Sequence, residues 1–337
     1  MKIKFGLLGA GYIANRHAEH ITAHEGAEVT AVYDIQPERA QALAEKWGAK
    51  SYSTAEDFFA ASTDIVSICT PNGLHATGAI EAMKAGKHAL VEKPMALTTA
   101  ECEQMIDVSM KTDRKLFVVK QNRYNPPVQA LKKLIDENKL GKILAVQVNC
   151  FWNRNEKYYI NSDWKGTAQL DGGTLFTQFS HFVDIFYYLF GDIEQISGVT
   201  DNVSHAGLIE FEDTGFFSFR FRQGALGSFN YTTSSYQQNM EGSITVFAEK
   251  ATIKAGGQYL NTIDYQKTEG FDIADLPQSG KANDYGYYQG SMSNHDKVIH
   301  NVVEALHGRA PIMTNAFEGM KVVDIICRMY ASANLPV

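Results

Sequence analysis

Cysteine is scarce and scattered. The four residues, Cys69, Cys102, Cys150 and Cys327, form no CxxC pair and no zinc-like spacing. That argues against a disulfide framework and a thiolate metal centre, so a reducing compartment is expected and no metal is expected. No apolar run approaches the roughly 20 residues that a membrane span needs. The opening "MKIKFGLLGAG" imitates a secretory leader, but its apolar run is short and Arg16 and His17 follow it. It reads as a first strand, with no membrane association and a cytoplasmic location. Positive charge is also short: 31 Lys and Arg stand against 38 Asp and Glu, a net charge of −7. Without a dense basic cluster to neutralise a row of phosphates, nucleic acid is not a partner. Internal repeats, low-complexity tracts and flexible linkers are missing too, so the domains are expected to share elements.

What is present is a balanced 337-residue chain, 45% hydrophobic and 20% charged. Single cores stop growing at about 250–300 residues, which predicts two domains. Over the first 120 or so residues, "IKFGLL", "EVTAVYD", "DIVSICT", "HALVE" and "LFVVK" are almost continuous in Val, Ile and Leu. Strands buried on both faces read this way. Helical segments separate them: Thr98 and Glu101 fit a capping box, and Gly86 ends the helix before "HALVE". Alternation of this kind predicts an α/β fold with a doubly wound parallel sheet.

The texture changes near residue 125. "NPPVQALKKLIDENKLG" predicts a helix beginning after Pro126 and Pro127, and "KILAVQVNCFW" alternates like a half-exposed strand. Between residues 193 and 267, "GLIEFED", "GFFSFRFRQG", "ALGSFNYTTSS" and "GSITVFAEKATIKAG" predict strands, with turns at Asp213-Thr214-Gly215 and Gln223-Gly224. This second region reads as a largely antiparallel sheet open on one face. Arg220 and Arg222 alternate with phenylalanines, which predicts one buried face and one free to form a subunit interface. Residues 284 to 334 return to helices, with Pro311 between two of them. The predicted domains are 1–122 and 123–337.

"GLLGAGYIANRH" carries the clearest chemistry. Gly9, Gly11 and Ala14 follow the first strand in GxGxxG/A spacing, and Tyr12 and Ile13 open the next helix. The first glycine permits the tight turn, the second lets the backbone approach a pyrophosphate, and Ala14 allows close packing. The helix N-terminus offers amide donors to the phosphates. Asp34 ends the second strand 23 residues beyond Gly11, where a carboxylate accepts from ribose hydroxyls and repels a 2′-phosphate. Ile35-Gln36-Pro37 supplies no arginine in its place, so NAD is favoured over NADP. At the carboxyl edge of the sheet "CTPNGLHA" puts Thr70, Pro71 and Asn72 beside the nicotinamide pocket, and His75 reads as a helix-start residue.

"GLLGAGYIA", "YD", "CTPNGLH" and "EKP", in this order and spacing, resemble the Gfo/Idh/MocA oxidoreductase family over essentially the whole chain. The resemblance implies an N-terminal Rossmann domain and a C-terminal α/β domain with a large, open, mostly antiparallel sheet. It places Glu92, Lys93 and Gln121 at the cofactor, with Lys93 also facing substrate, and implies a cis bond before Pro94. A desolvated lysine suits proton transfer during oxidation of a secondary alcohol. In "LDGGTLFTQFSHFVDIFYYLFG", helical spacing puts Thr177, His181 and Asp184 on one face. The family sets a histidine here against the substrate hydroxyl, which makes His181 an acid–base candidate with Asp184 orienting it or contacting ligand. Inositol-dehydrogenase-like members have an aspartate where this chain has Thr177, so that dyad is absent. A satisfied core histidine is the alternative.

"YYINSDWKGTAQLDGG" mixes flat rings with hydrogen-bonding groups, as a sugar site does. Its Ser-x-Trp-Lys-Gly pattern is similar to the branch of the family acting at C3 of UDP-linked N-acetyl sugars and their uronic acids. That branch implies Trp164 and Lys165 at the substrate, with Arg123 and Tyr124 from "QNRYNP" and with His295 near it. Tyr285, Tyr287 and Tyr288 would close the pocket or serve helix packing. The expected function is an NAD-dependent sugar dehydrogenase working as a homo-oligomer. A free polyol, inositol or dihydrodiol substrate is one alternative, and a non-catalytic dinucleotide-binding sensor is another.

Overall fold

A computed structural model describes residues 1–334 apart from 279, 281, 285 and 287. Tyr285 and Tyr287 therefore lie outside the described residues. The chain divides into two compact units, Met1–Lys120 with His295–Val323, and Gln121–Asn294 with Asp324–Val337.

The first unit is built on strands β1 (Ile3–Leu8), β2 (Ala27–Tyr33), β3 (Lys50–Tyr52), β4 (Ile65–Ile68), β5 (His88–Val91) and β6 (Leu116–Val118). All pair in parallel in the order β3-β2-β1-β4-β5-β6. Leu7, Ile65, Val66, Ile68, Leu90 and Val91 are wholly buried, as strands covered on both faces require. Helices α1 (Tyr12–Ala23), α2 (Pro37–Trp47), α3 (Ala55–Ala60), α4 (His75–Lys84) and α5 (Thr99–Thr112) connect them. Thr98 and Glu101 do form a reciprocal capping box at the start of α5. The strand order reverses between β1 and β4, so the segments after these two strands flank the switch point where doubly wound folds take ligands. The short β3 has no apolar run and was invisible in the sequence.

The second unit opens with α6 (Pro126–Asp136), whose two prolines form its first turn instead of preceding it. Missing amide hydrogens cost nothing there, because first-turn donors have no helical partner. Strand β7 (Ile143–Phe151), short α7 (Glu156–Ile160) and α8 (Ser180–Phe190) follow. Next come β8 (Ile193–Asp201), β9 (Thr214–Phe221), β10 (Leu226–Thr232), β11 (Glu241–Ala248), β12 (Ala251–Gly256) and β13 (Thr262–Thr268). The sheet runs β13-β12-β11-β7-β10-β9-β8, antiparallel except between β7 and β10. A buried aromatic core including Trp152, Phe179, Phe182, Phe186, Phe221, Phe229 and Tyr231 involves α8 and one face of the sheet. The opposite face leaves Val199, Phe216, Leu226, Phe247 and Tyr265 exposed.

Three sequence expectations change. "GLIEFED" is a loop, because Asp213 gathers the amides of Val203, Ser204 and His205 while Leu208, Ile209 and Phe211 pack on Tyr158 and Tyr159. Thr214 and Gly215, expected in a turn, begin β9. The described residues between 284 and 294 are not helical: β14 (Ala282–Asp284) and β15 (Gln289–Met292) pair antiparallel there. Helices α9 (His295–Leu306) and α10 (Ala316–Ser332) follow, with Pro311 between them as read.

Candidate active site

Gly9 must be glycine: its φ is +93° and a Cβ would stand 2.7 Å from the Cys69 carbonyl oxygen. Gly11, the N-cap of α1, has open space where its Cβ would be and no side chain caps the helix. Uncapped first-turn amides beside an open glycine are a cradle for phosphate. Asp34 accepts from Ala10 N at 2.7 Å and Gln36 N at 2.8 Å, which ties the end of β2 to the glycine turn. A carboxylate has about four lone-pair directions, so capacity is left for ribose hydroxyls. These residues fit a dinucleotide. Tyr12 is exposed, Ile13, Thr70 and Pro71 are half-buried, and Asn72 is buried.

Lys93 is half-buried just past β5 and is joined to Pro94 by a cis bond. The carboxylate of Glu92 is turned inward, to His17 Nε2 at 2.8 Å and to the Lys93 amide at 3.1 Å. On the other side His75 Nδ1 meets the Pro94 carbonyl at 2.6 Å and its Nε2 meets the Thr70 carbonyl at 3.0 Å. Burial favours the neutral ring, whose single N–H is best placed to donate to the Pro94 carbonyl, the shorter of the two contacts, so His75 braces this turn as well as starting α4.

In the second unit, a wide π-type turn over Leu175–Phe179 leads into α8. Thr177 lies in this turn while His181 and Asp184 lie three residues apart in α8, and each has its own partner. Thr177 Oγ1 donates to the Asp171 carboxylate, whose other oxygen accepts from Gly166 N at 2.7 Å. His181 Nε2 lies 3.4 Å from Ser291 Oγ, which accepts from Gln121 Nε2 at 3.0 Å. Asp184 takes a two-point ion pair from Arg123, at 2.9 and 2.7 Å, with both residues essentially unexposed. Tyr124 beside them is half-buried.

Lys165 Nζ stands 3.9 Å from the Tyr158 ring centroid and 5.1 Å from that of Tyr288. Arg154 approaches the same rings at 5.3 and 5.2 Å. Gln178 bridges the group, accepting from Arg154 Nε at 2.7 Å and donating to Tyr158 Oη at 2.6 Å. Ser162 and Thr167 shape the turn that carries half-buried Trp164. Arg154, Asp171 and Gln178 were not singled out from sequence, since their partners lie on other segments. A weak signal existed for His17: it shares the buried stripe of α1 with Ala14, Ala18 and Ile21.

The entry to this helix rests on a buried acid. Gly173, at φ +129°, lets Tyr330 approach so closely that a Cβ would lie 2.4 Å from its hydroxyl oxygen. That hydroxyl accepts from Leu175 N at 2.9 Å and donates to Glu212 Oε1 at 2.7 Å, while Tyr231 Oη donates to the same oxygen at 2.9 Å. Burial raises Glu212 from 4.5 to about 7, against the lowering effect of the two hydroxyls. The folded state thus holds this proton more tightly than the unfolded chain. Its stabilising contribution is complete below pH 4.5 and is lost as pH rises through about 7. Glu212→Gln should therefore be the more stable protein at pH 8 by about 3 kcal/mol. The gap should close towards pH 5, and equal melting temperatures of both proteins at pH 8 would refute the assignment.

A phosphate cradle on a doubly wound parallel sheet, with an acid ending the second strand, defines the first unit as a dinucleotide-binding domain. The chain belongs to the Gfo/Idh/MocA oxidoreductase family: residues 3–120 match its NAD-binding Rossmann fold and residues 132–335 its C-terminal alpha/beta domain. It is an NAD-dependent oxidoreductase. Among solved structures it is similar to the WlbA dehydrogenase of Chromobacterium violaceum, solved with NADH and UDP-GlcNAcA, at 37% identity and TM-score 0.89 over 98% of this chain and 94% of that one. WlbA of Bordetella pertussis, solved with the same ligands, is 35% identical with TM-score 0.89 over the full length of both chains. Glucose-6-phosphate 3-dehydrogenase of Bacillus subtilis is 32% identical over 190 residues, 56% of this chain and 53% of the relative. Among the described residues, no helix is long and apolar enough to cross a membrane.

Proposed function

We propose that this protein oxidises a secondary hydroxyl of a nucleotide-linked sugar acid, of the UDP-GlcNAcA type, with NAD as hydride acceptor. The observation that carries the proposal is the gathering of Lys165 and Arg154 on the Tyr158 and Tyr288 rings. Flat rings suit the C–H faces of a sugar. Arg154 is buried and bonded to Gln178 and Asn239, so it supports the rings, and half-buried Lys165 is the cation suited to a carboxylate or diphosphate. The full-length likeness to two dehydrogenases solved with NADH and UDP-GlcNAcA supports it. A neutral polyol would have no use for the Lys165 cation, and a non-catalytic sensor none for a lysine at the sheet edge.

In this reading Gly9, Gly11 and the α1 N-terminus hold the cofactor phosphates, and Asp34 holds the adenosine ribose. Bound NAD supplies the acceptor for the hydride. Lys93 takes the hydroxyl proton, and its charged form stabilises the developing alkoxide. His181 hydrogen-bonds the reacting hydroxyl, and Lys165 meets the acidic group of the substrate.

The test is reduced-nicotinamide absorbance at near-stoichiometric enzyme, with NAD and UDP-GlcNAcA, UDP-GlcNAc, glucose 6-phosphate or myo-inositol. NADH should form with UDP-GlcNAcA, and Lys165→Met should raise its KM by roughly 10-fold or more, as for loss of a charged contact. Faster turnover of myo-inositol than of any acidic sugar would sink the proposal.

A further inference from the structure

Two histidines converge on Glu92 inside the first unit. His17 of α1 puts Nε2 2.8 Å from Glu92 Oε1 and turns Nδ1 to Ser67 Oγ at 2.7 Å. His295, the first residue of α9, brings Nε2 to 3.6 Å from the same oxygen, its ring centroid 5.4 Å from that of His17. All three are at least 95% buried: His17 and His295 are 1% exposed and Glu92 is 5% exposed. The second carboxylate oxygen accepts the backbone N–H of Lys93 at 3.1 Å.

Burial alone would raise Glu92, but the hydrogen bond from His17 and the nearby His295 imidazole outweigh it and hold the carboxyl well below the usual carboxylate range. An ionised carboxylate only accepts, so His17 Nε2 carries a proton and Nδ1 is served by the Ser67 hydroxyl. The three ligand atoms lie within 4.8 Å of one another, a spacing that invites a divalent ion. However, the 2.8 Å contact between His17 and Glu92 is shorter than the roughly 3.3 Å separating two ligands of a tetrahedral zinc. A proton occupies that line.

We propose that the His17–Glu92–His295 cluster positions Lys93, the carboxylate fixing the Lys93 peptide from one side while His75 fixes the Pro94 carbonyl from the other. The inference rests on the reading of Lys93 as the acid–base group. It adds that α1, whose N-terminus cradles the cofactor phosphates, also sets the aim of that lysine. Glu92 and its histidines are positioning residues: they act on the lysine's backbone through a buried, charge-assisted bond.

Four variants decide the matter: His17→Leu, His17→Gln, Glu92→Gln and Lys93→Met, each assayed for single-turnover NADH formation with UDP-GlcNAcA and for NAD affinity by fluorescence titration. His17→Leu and Glu92→Gln should slow turnover by roughly 10- to 100-fold, as a small misplacement of a reacting group does. NAD affinity and KM should stay within about threefold in both, as expected when only transition-state interactions are lost. His17→Gln should restore most of the rate, because its carboxamide gives Glu92 an N–H donor and Ser67 an acceptor. Equal losses in His17→Gln and His17→Leu would reduce His17 to packing and overturn the proposal. So would one equivalent of zinc that copurifies with the protein and is lost in His295→Ala, since an ion would then hold Glu92. Should His17→Leu not fold, the other pair decides: a slow Glu92→Gln beside a fast His17→Gln supports the proposal, and the reverse overturns it. Undiminished turnover in Lys93→Met would instead remove the acid–base reading itself.

Discussion

Lys93→Met is expected to form NADH roughly a thousandfold more slowly than the parent protein, within the usual span for loss of a general acid–base group. Methionine keeps the length and apolar stem of lysine while deleting the group that exchanges a proton. Because Lys93 is half-buried and the adjoining Glu92 and Pro94 are held by His17 and His75, the local backbone has independent support. NAD affinity should then stay within about threefold, and the loss should fall equally on kcat and kcat/KM, the signature of an interaction made only in the transition state. Stopped-flow absorbance with saturating NAD separates these quantities. A variant keeping more than about a tenth of the rate would show that proton removal is carried elsewhere.

Arg123→Met is expected to damage the fold before it damages affinity. Arg123 and Asp184 are 0% and 1% exposed and bonded at two points, and the guanidinium also lies 4.5 Å from the centroid of the Tyr188 ring. Deleting the arginine leaves a carboxylate in the interior without that partner, which costs about 3–5 kcal/mol. Replacing both partners by apolar residues of similar size, Arg123→Met with Asp184→Leu, should recover a large part of the loss, because no unpaired charge remains. Urea unfolding of the two variants provides the comparison. If Arg123→Met loses less than about 1 kcal/mol, the value of an exposed pair, then the pair is open to solvent and a substrate contact becomes the better account.

Those two residues also show where reading a chain without its structure stops. "QNRYNP" and the Asp184 segment lie 61 positions apart; polar residue types suggested a ligand, and only the fold reveals that they satisfy each other. Legibility was high where the determinant is local. Gly9, Gly11 and Ala14 with Asp34 mark the phosphate turn, the Thr98–Glu101 box starts α5, and unbroken Val, Ile and Leu runs mark strands covered on both faces. It was low where a segment's fate is decided from afar. "GLIEFED" has strand-like composition, yet Asp213 claims the neighbouring amides and the Tyr158 and Tyr159 rings claim the apolar side chains. Thr177, His181 and Asp184 were placed by ideal helical spacing, and the wide turn at Leu175–Phe179 that carries Thr177 had no signal in the sequence. Arg154 and Asp171 fall in loops whose composition carries no period, so nothing local separates them from solvated charges.

The hydroxyl of Tyr330 beneath Gly173 and Leu175 has a consequence for how the molecule is made and handled. Synthesis runs from the N-terminus, and domains fold as their parts emerge, but the segment leading into the His181 helix waits for a brace encoded more than 150 positions later. The second unit remains unfinished until Tyr330 has been added. A nonsense mutation or a proteolytic cut just ahead of Tyr330 that spares Lys93, Lys165 and His181 would still release the foundation of that helix.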